Sequence, residues 1–170
     1  MAQDELFNLD LKVMKLEKTL ISSDGQQPSQ ATPSPRAATT ADAPAIAAMA
    51  LSFIAASPYK DVEVTADSLM PLILSLIEDG IMFVSDNGFI TGVVSPLFFA
   101  PSVLIASDLA WWSEDGSGEK LREAFEDEAA NRGAHAVQMS VLNNDFASRL
   151  TKTLAEDNYH PVEVSFLKAL

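Results

Sequence analysis

At 170 residues the chain is long enough for one domain with a sizeable core plus an appendage, and its 48% hydrophobic content is that of a soluble globular protein. A formal net charge of −13, from 11 basic and 24 acidic residues, argues against a broad nucleic-acid or anionic-membrane surface. Cysteine is absent, which excludes a disulfide framework, a thiolate metal site and a cysteine nucleophile; His135 and His160 lack the carboxylate-rich spacing of a metal site.

Residues 1–22 read as a separate unit. Leu6, Leu9, Val13, Leu16 and Leu20 recur at spacings of three and four, the stripe of an amphipathic helix that docks on a protein partner or on a copy of itself. Leu9, Leu11 and Val13 also alternate, so a strand is the competing reading. An isolated helix of this length is marginal in water and needs something to dock against. Asp4 and Glu5 precede the apolar residues, the reverse of a signal peptide's basic start. Residues 23–35 carry Asp24-Gly25, two glutamines and three prolines among serines and threonines, the chemistry of a flexible linker.

The main domain is expected over residues 36–170. A short strand near Arg36 leads to Asp42, a good N-cap, with Pro44 in the first turn of a helix that buries Ile46, Met49, Ala50, Phe53 and Ile54. A second helix begins near Thr65, buries Leu69, Leu72, Ile73, Leu76 and Ile77, and stops at Gly80. Two strands, Ile81–Ser85 and Phe89–Val94, flank the hairpin signal Asp86-Asn87-Gly88. A strand over Leu104–Trp112 feeds the turn Ser113-Glu114-Asp115-Gly116-Ser117-Gly118 and a helix from Glu119 to Arg132. Further elements are a strand at Ala136–Val141, a helix from Asp145 to Glu156 and a closing strand at Val162–Lys168. The apolar run before Ala106 is broken by Pro101 and too short to span a bilayer, so a non-secreted, cytoplasmic protein without a membrane segment is expected.

A strand entering a Gly-x-Gly turn and a helix N-terminus presents backbone N–H groups to a phosphate. This arrangement resembles the Q/R-x-x-G-x-G/A loop of the GNAT acyltransferase superfamily, with Ser113 where the family has Gln or Arg. The Trp111-Trp112 pair, the Ala124-Phe125-Glu126 helix core and the segment Asn158–Lys168 resemble a bacteriophage-encoded subgroup. The resemblance implies an α/β fold with a mixed, mostly antiparallel central sheet flanked by helices. It also implies transfer of an acetyl group from acetyl-coenzyme A to an amine on a small molecule or a protein. The cofactor would lie against Trp112, Ser113, Gly116, Ser117, Gly118 and Asn144, with Asp108 as general base. The family's fourth-helix tyrosine is replaced by Thr151, in a pattern where Asn144, Ala147 and Leu150 match. A phage origin would place the protein in the host cytoplasm or the virion.

Each of these residues has a second reading. Asp108 is a general base in a polar cleft or an edge-facing aspartate; Asn144 touches the cofactor or caps the helix after it. Glu114, Asp115 and Glu119 repel an anionic ligand or stabilise their own helix end and point outward. Trp111 and Trp112 face opposite sides of the sheet, one in the core and the other free to line a cleft. Glu123, Glu126, Asp127 and Glu128 read as a solvated helix face. The resemblance thus implies either an acyltransferase or a catalytically degenerate structural module of a phage virion, anchored by the N-terminal helix.

Overall fold

Alternation of side chains along the strands decides the architecture, because it gives the sheet two apolar faces. The computed structural model describes residues 34–168; the N-terminal helix and most of the linker expected from the sequence lie outside them. Five strands, β1 (Arg36–Ala37), β2 (Ile81–Val84), β3 (Gly88–Leu97), β4 (Ala100–Ser113) and β5 (Ala136–Gln138), form one sheet in chain order. The first four pair antiparallel, and β4 pairs parallel with β5. A parallel pair needs a crossover, and helix α3 (Gly118–Asn131) supplies it.

Met82, Val84 and Phe89 face one side of the sheet, against Ala43, Ile46 and Ala47 of α1 (Ala43–Ala55) and Ile73 and Leu76 of α2 (Ala66–Glu78). Ile81, Ile90 and Ala106 face the other, against Leu121, Phe125 and Ala129 of α3. Trp112 packs with the first cluster and Trp111 with the second, the opposed placement that strand alternation requires. A short α4 (Ala147–Glu156) follows β5.

Local chemistry explains the helix starts. Thr65 caps α2 by accepting from the Ser68 N–H at 3.2 Å, while the Ser68 hydroxyl accepts from the Thr65 N–H at 3.0 Å. Asp42 does not cap α1 as expected. Its carboxylate accepts from the Thr39 N–H at 2.8 Å and from Arg36 at 2.6 and 2.8 Å, closing a single 3-10 turn ahead of the helix. Leu72, expected in the core, is 54% exposed on the flank of the α2 stripe.

Two expectations fail toward the C-terminus. β5 is shorter than the Ala136–Val141 strand read from the sequence, and residues 159–168 form no strand at all. Val162, Val164 and Phe166 alternate as a strand should, yet they are 79%, 76% and 94% exposed. Alternation describes a surface that fits a pleated sheet, and without a paired neighbour it fixes nothing. Glu126, read as part of a solvated face, is half-buried. It and Asp157 hold Arg122, which is 5% exposed, at 2.5 Å each, and the Tyr159 hydroxyl donates to Glu126 at 2.8 Å. This clasp on a buried arginine fastens the end of α4 to α3.

Gly92 sits where β3, β4 and α3 meet. A Cβ there would lie 2.2 Å from the Ser107 carbonyl oxygen and 2.7 Å from the Phe125 ring, both in the packed interior. Gly92→Ala is therefore expected to destabilise the protein by about 2–3 kcal/mol, read as a fall in the urea midpoint at unchanged slope. An unshifted midpoint would mean that α3 is not packed this closely on the sheet.

Candidate functional site

β4 is where regular alternation breaks. Thr91 opposes Ala110 and Gly92 opposes Asp108, so Leu109 is an extra, unopposed residue: a β-bulge. The bulge explains why Ala106 and Trp111, five residues apart, pack on the same face. It also lies at the point where β4 loses its other neighbour, since pairing with β5 ends at Ser107 and Gln138.

Beyond that last pair the chain leaving β5 diverges, and a cavity of about 510 Å³ opens between it and β4. β4 lines it from Asp108 to Ser113, followed by Gly116, Gly118 and Glu119 of the turn and α3. The opposite wall comes from Ser140, Leu142 and Asn144, then α4, with Phe53 and Ala56 from the end of α1. Of the residues singled out from the sequence, Asp108, Trp112, Ser113, Gly116, Gly118 and Asn144 meet here.

Ser117 does not line the cavity. It is fully buried, with its hydroxyl 2.8 Å from that of Ser85 and its N–H donating to Asp115 at 2.9 Å. Asp115 organises the whole loop. Its carboxylate also accepts from the Ser85 hydroxyl and the Asn87 N–H, each at 2.8 Å, and from the Ser113 hydroxyl at 3.0 Å. Burial pushes this carboxyl up, but the hydrogen bonds from Ser117, Asn87 and Ser85 outweigh it and hold it below the usual carboxylate range. Asp115 thus stays ionised and shapes the loop, while Glu119 is the acid of this segment that borders the cavity.

Gly116 has φ of +76°, a left-handed turn that glycine adopts without strain, and a Cβ there would meet nothing within 4 Å. Gly118 opens α3, and a Cβ there would make only ordinary contacts at 3.6 Å. The first amides of a helix have no intrahelical partner, so this end of α3 offers N–H groups beside open space. The Trp111 indole N–H donates to the Gly118 carbonyl at 3.1 Å and steadies that end. Trp112 meets Phe53 edge-on with ring centroids 6.5 Å apart.

Asp108 is 8% exposed, and its carboxylate accepts from the Ser140 N–H at 2.7 Å. One carboxylate thus joins β4 to the diverging chain just past the last paired residues. Burial pushes the carboxyl up to about 6, against the pull of the Ser140 N–H and hydroxyl. Asn144 lines the cavity, and its side-chain oxygen accepts from the Phe146 N–H at 3.0 Å in the turn leading into α4, which has no side-chain cap.

Thr151, at the position where the resemblance implies a tyrosine, is exposed and does not line the cavity. Tyr159 is not its substitute: burial and the Glu126 carboxylate raise its phenol well above the ordinary value. The residues that sequence reading missed are Arg149, Phe146 and Thr153, which α4 turns toward the cavity with Leu150 at helical spacing. That spacing was visible, but which face of α4 meets β4 depends on the Arg122 clasp.

No family model and no curated protein matches the sequence. Solved structures do match the fold. An aminoglycoside acetyltransferase from an uncultured soil metagenomic sample superposes with a TM-score of 0.60 at 10% identity, covering 80% of this chain and 97% of that one. A proposed acetyltransferase from Arthrobacter sp. FB24 gives 0.60 at 20% identity, covering 86% and 100%. Glucosamine-6-phosphate N-acetyltransferase from Arabidopsis thaliana gives 0.60 at 10%, covering 82% and 99%. The five-stranded mixed sheet with flanking helices is thus a GNAT fold.

The Asp108 carboxyl holds its proton more tightly in the fold than in the unfolded chain, where the pKa is about 3.9. Its contribution to stability is therefore full below about pH 4 and declines as the pH rises toward about 6. Asp108→Asn keeps an oxygen acceptor for Ser140 and removes that cost. The variant should match the parent at pH 4 and exceed it by about 1–3 kcal/mol at pH 7.5, in paired urea titrations. A variant less stable at pH 7.5 would show that the fold favours the anion instead.

Proposed function

We propose that the protein is an acetyl-coenzyme A-dependent N-acyltransferase acting on an amine. The observation that carries this reading is the cavity itself. A buried carboxylate stands at one end, a glycine turn and helix N-terminus at the other, and the gap between β4 and the chain after β5 joins them. The related folds include enzymes whose substrates are amines, an aminoglycoside and glucosamine-6-phosphate.

The residues present fit the cofactor. Gly116 leaves open space beside the loop, and the α3 terminus favours a negatively charged group there. Ser113, Trp112 and Asn144 would border it. When bound, acetyl-coenzyme A supplies an acetyl thioester, and an amine that attacks it must first lose a proton. Asp108, ionised above about pH 6 and held by Ser140, is the group placed to accept that proton directly or through one water. Among the described residues no tyrosine borders the cavity, so protonation of the departing thiolate falls to water.

The second reading is a non-catalytic GNAT-fold module of a phage virion, anchored through Leu6, Leu9, Val13, Leu16 and Leu20. The exposed Thr151 in place of a tyrosine favours it. Calorimetric titration with acetyl-coenzyme A at low salt separates the two. The transferase reading expects micromolar binding, abolished by Gly118→Glu, a change the backbone tolerates because a Cβ fits at 3.6 Å. It also expects Asp108→Asn to lower kcat/KM for amine acetylation by about 10²-fold, with loss of the rate limb near pH 6. No binding at millimolar ligand would leave the structural module as the surviving reading.

A further inference from the structure

The charged groups bordering the cavity are Asp108, Glu119 and Arg149. The arginine is distinguished by what it lacks. In a chain with 24 carboxylates against 11 basic residues, acceptors are abundant, and the other arginines of the described residues each hold one. Arg36 pairs with Asp42, Arg122 with Glu126 and Asp157, and Arg132 with Glu128. The Arg149 guanidinium has no hydrogen bond or ion pair among the described residues. It projects from α4 between Phe146, Leu150 and Thr153, which share its cavity-lining face.

We infer that Arg149 is the anion-recognition residue of this cavity and takes a phosphoryl or carboxylate group of a bound ligand. A guanidinium carries five N–H donors in a planar fork that matches either group with two parallel hydrogen bonds. Arg149 is exposed where it borders the cavity, so its fork is open to an anionic group entering from solvent. The inference deepens the transferase reading and rests on it for the ligand's identity. The anion belongs either to the cofactor's phosphates or to an acceptor that carries a carboxylate beside its amine.

The test is calorimetry on the full chain, parent and Arg149→Ala, with inorganic pyrophosphate, coenzyme A and S-acetylpantetheine, which has no phosphate. If the cofactor supplies the anion, the variant binds pyrophosphate and coenzyme A about tenfold or more weakly and S-acetylpantetheine equally well. Arg149→Lys then restores only part of the loss, because it returns the charge without the fork. If the acceptor supplies it, coenzyme A affinity is unchanged while KM rises about tenfold for amino acids and not for spermidine. Equal behaviour of parent and variant with every ligand overturns the inference. A parent that binds pyrophosphate through Arg149 but not coenzyme A would sink the transferase reading and keep the anion site.

Discussion

The site depends on β4 outrunning its parallel neighbour. β5 pairs with it over three residues, Ile105 to Ser107, and β4 then continues to Ser113 alone on that side. Had the ladder continued, backbone hydrogen bonds would occupy the space where the cavity lies. A divergence of this kind leaves N–H and C=O groups without partners, and each buried one is costly. The Asp108 carboxylate meets one of them, the Ser140 N–H, from within the strand that Ser140 has left. The same bond explains why a carboxylate is tolerated in an otherwise apolar strand. The β-bulge at Leu109 completes the arrangement by turning the strand's remaining residues over, so that Trp111 closes the α3 side and Trp112 the α1 side.

A net charge of −13 tells little about the local field, because the fold spends its acids unevenly. Asp115 is bound by four donors of its own loop and its neighbours, and so shapes the turn that would otherwise carry its charge outward. Glu126 and Asp157 neutralise a buried arginine and hold α4 against α3. Both carboxylates stay partly exposed, and with two of them on one guanidinium the loss of either leaves Arg122 still paired. The position of α4 in turn decides which of its residues reach the cavity. Loop, clasp and cavity are thus linked through charged groups that composition alone counts as surface.

Much of the fold was legible because period and punctuation agree along most of the chain. The helices at Ala43 and Ala66 and the hairpin at Asn87-Gly88 follow from apolar spacing with nearby capping or turn residues. The glycine turn and its helix follow likewise; that Asp108, Trp112, Ser113, Gly116, Gly118 and Asn144 belong together is implied by the family resemblance, and all six line one cavity. The expected strand at Val162–Lys168 failed for the opposite reason: alternation was present, but pairing is a property of two segments.

The sequence by itself determined most of the helices, the hairpin and the place of the glycine turn, because these depend on neighbours a few residues away. Only the tertiary structure decided what each acid does. Whether Asp115 faces a ligand or its own loop depends on Ser85 and Asn87, some thirty residues earlier. Whether Asp108 is buried depends on Ser140, and whether Arg149 reaches a cavity depends on Arg122 and Asp157. Hydrogen bonding and desolvation act through space, so the charge state and direction of a polar side chain are fixed by contacts that one-dimensional spacing does not contain.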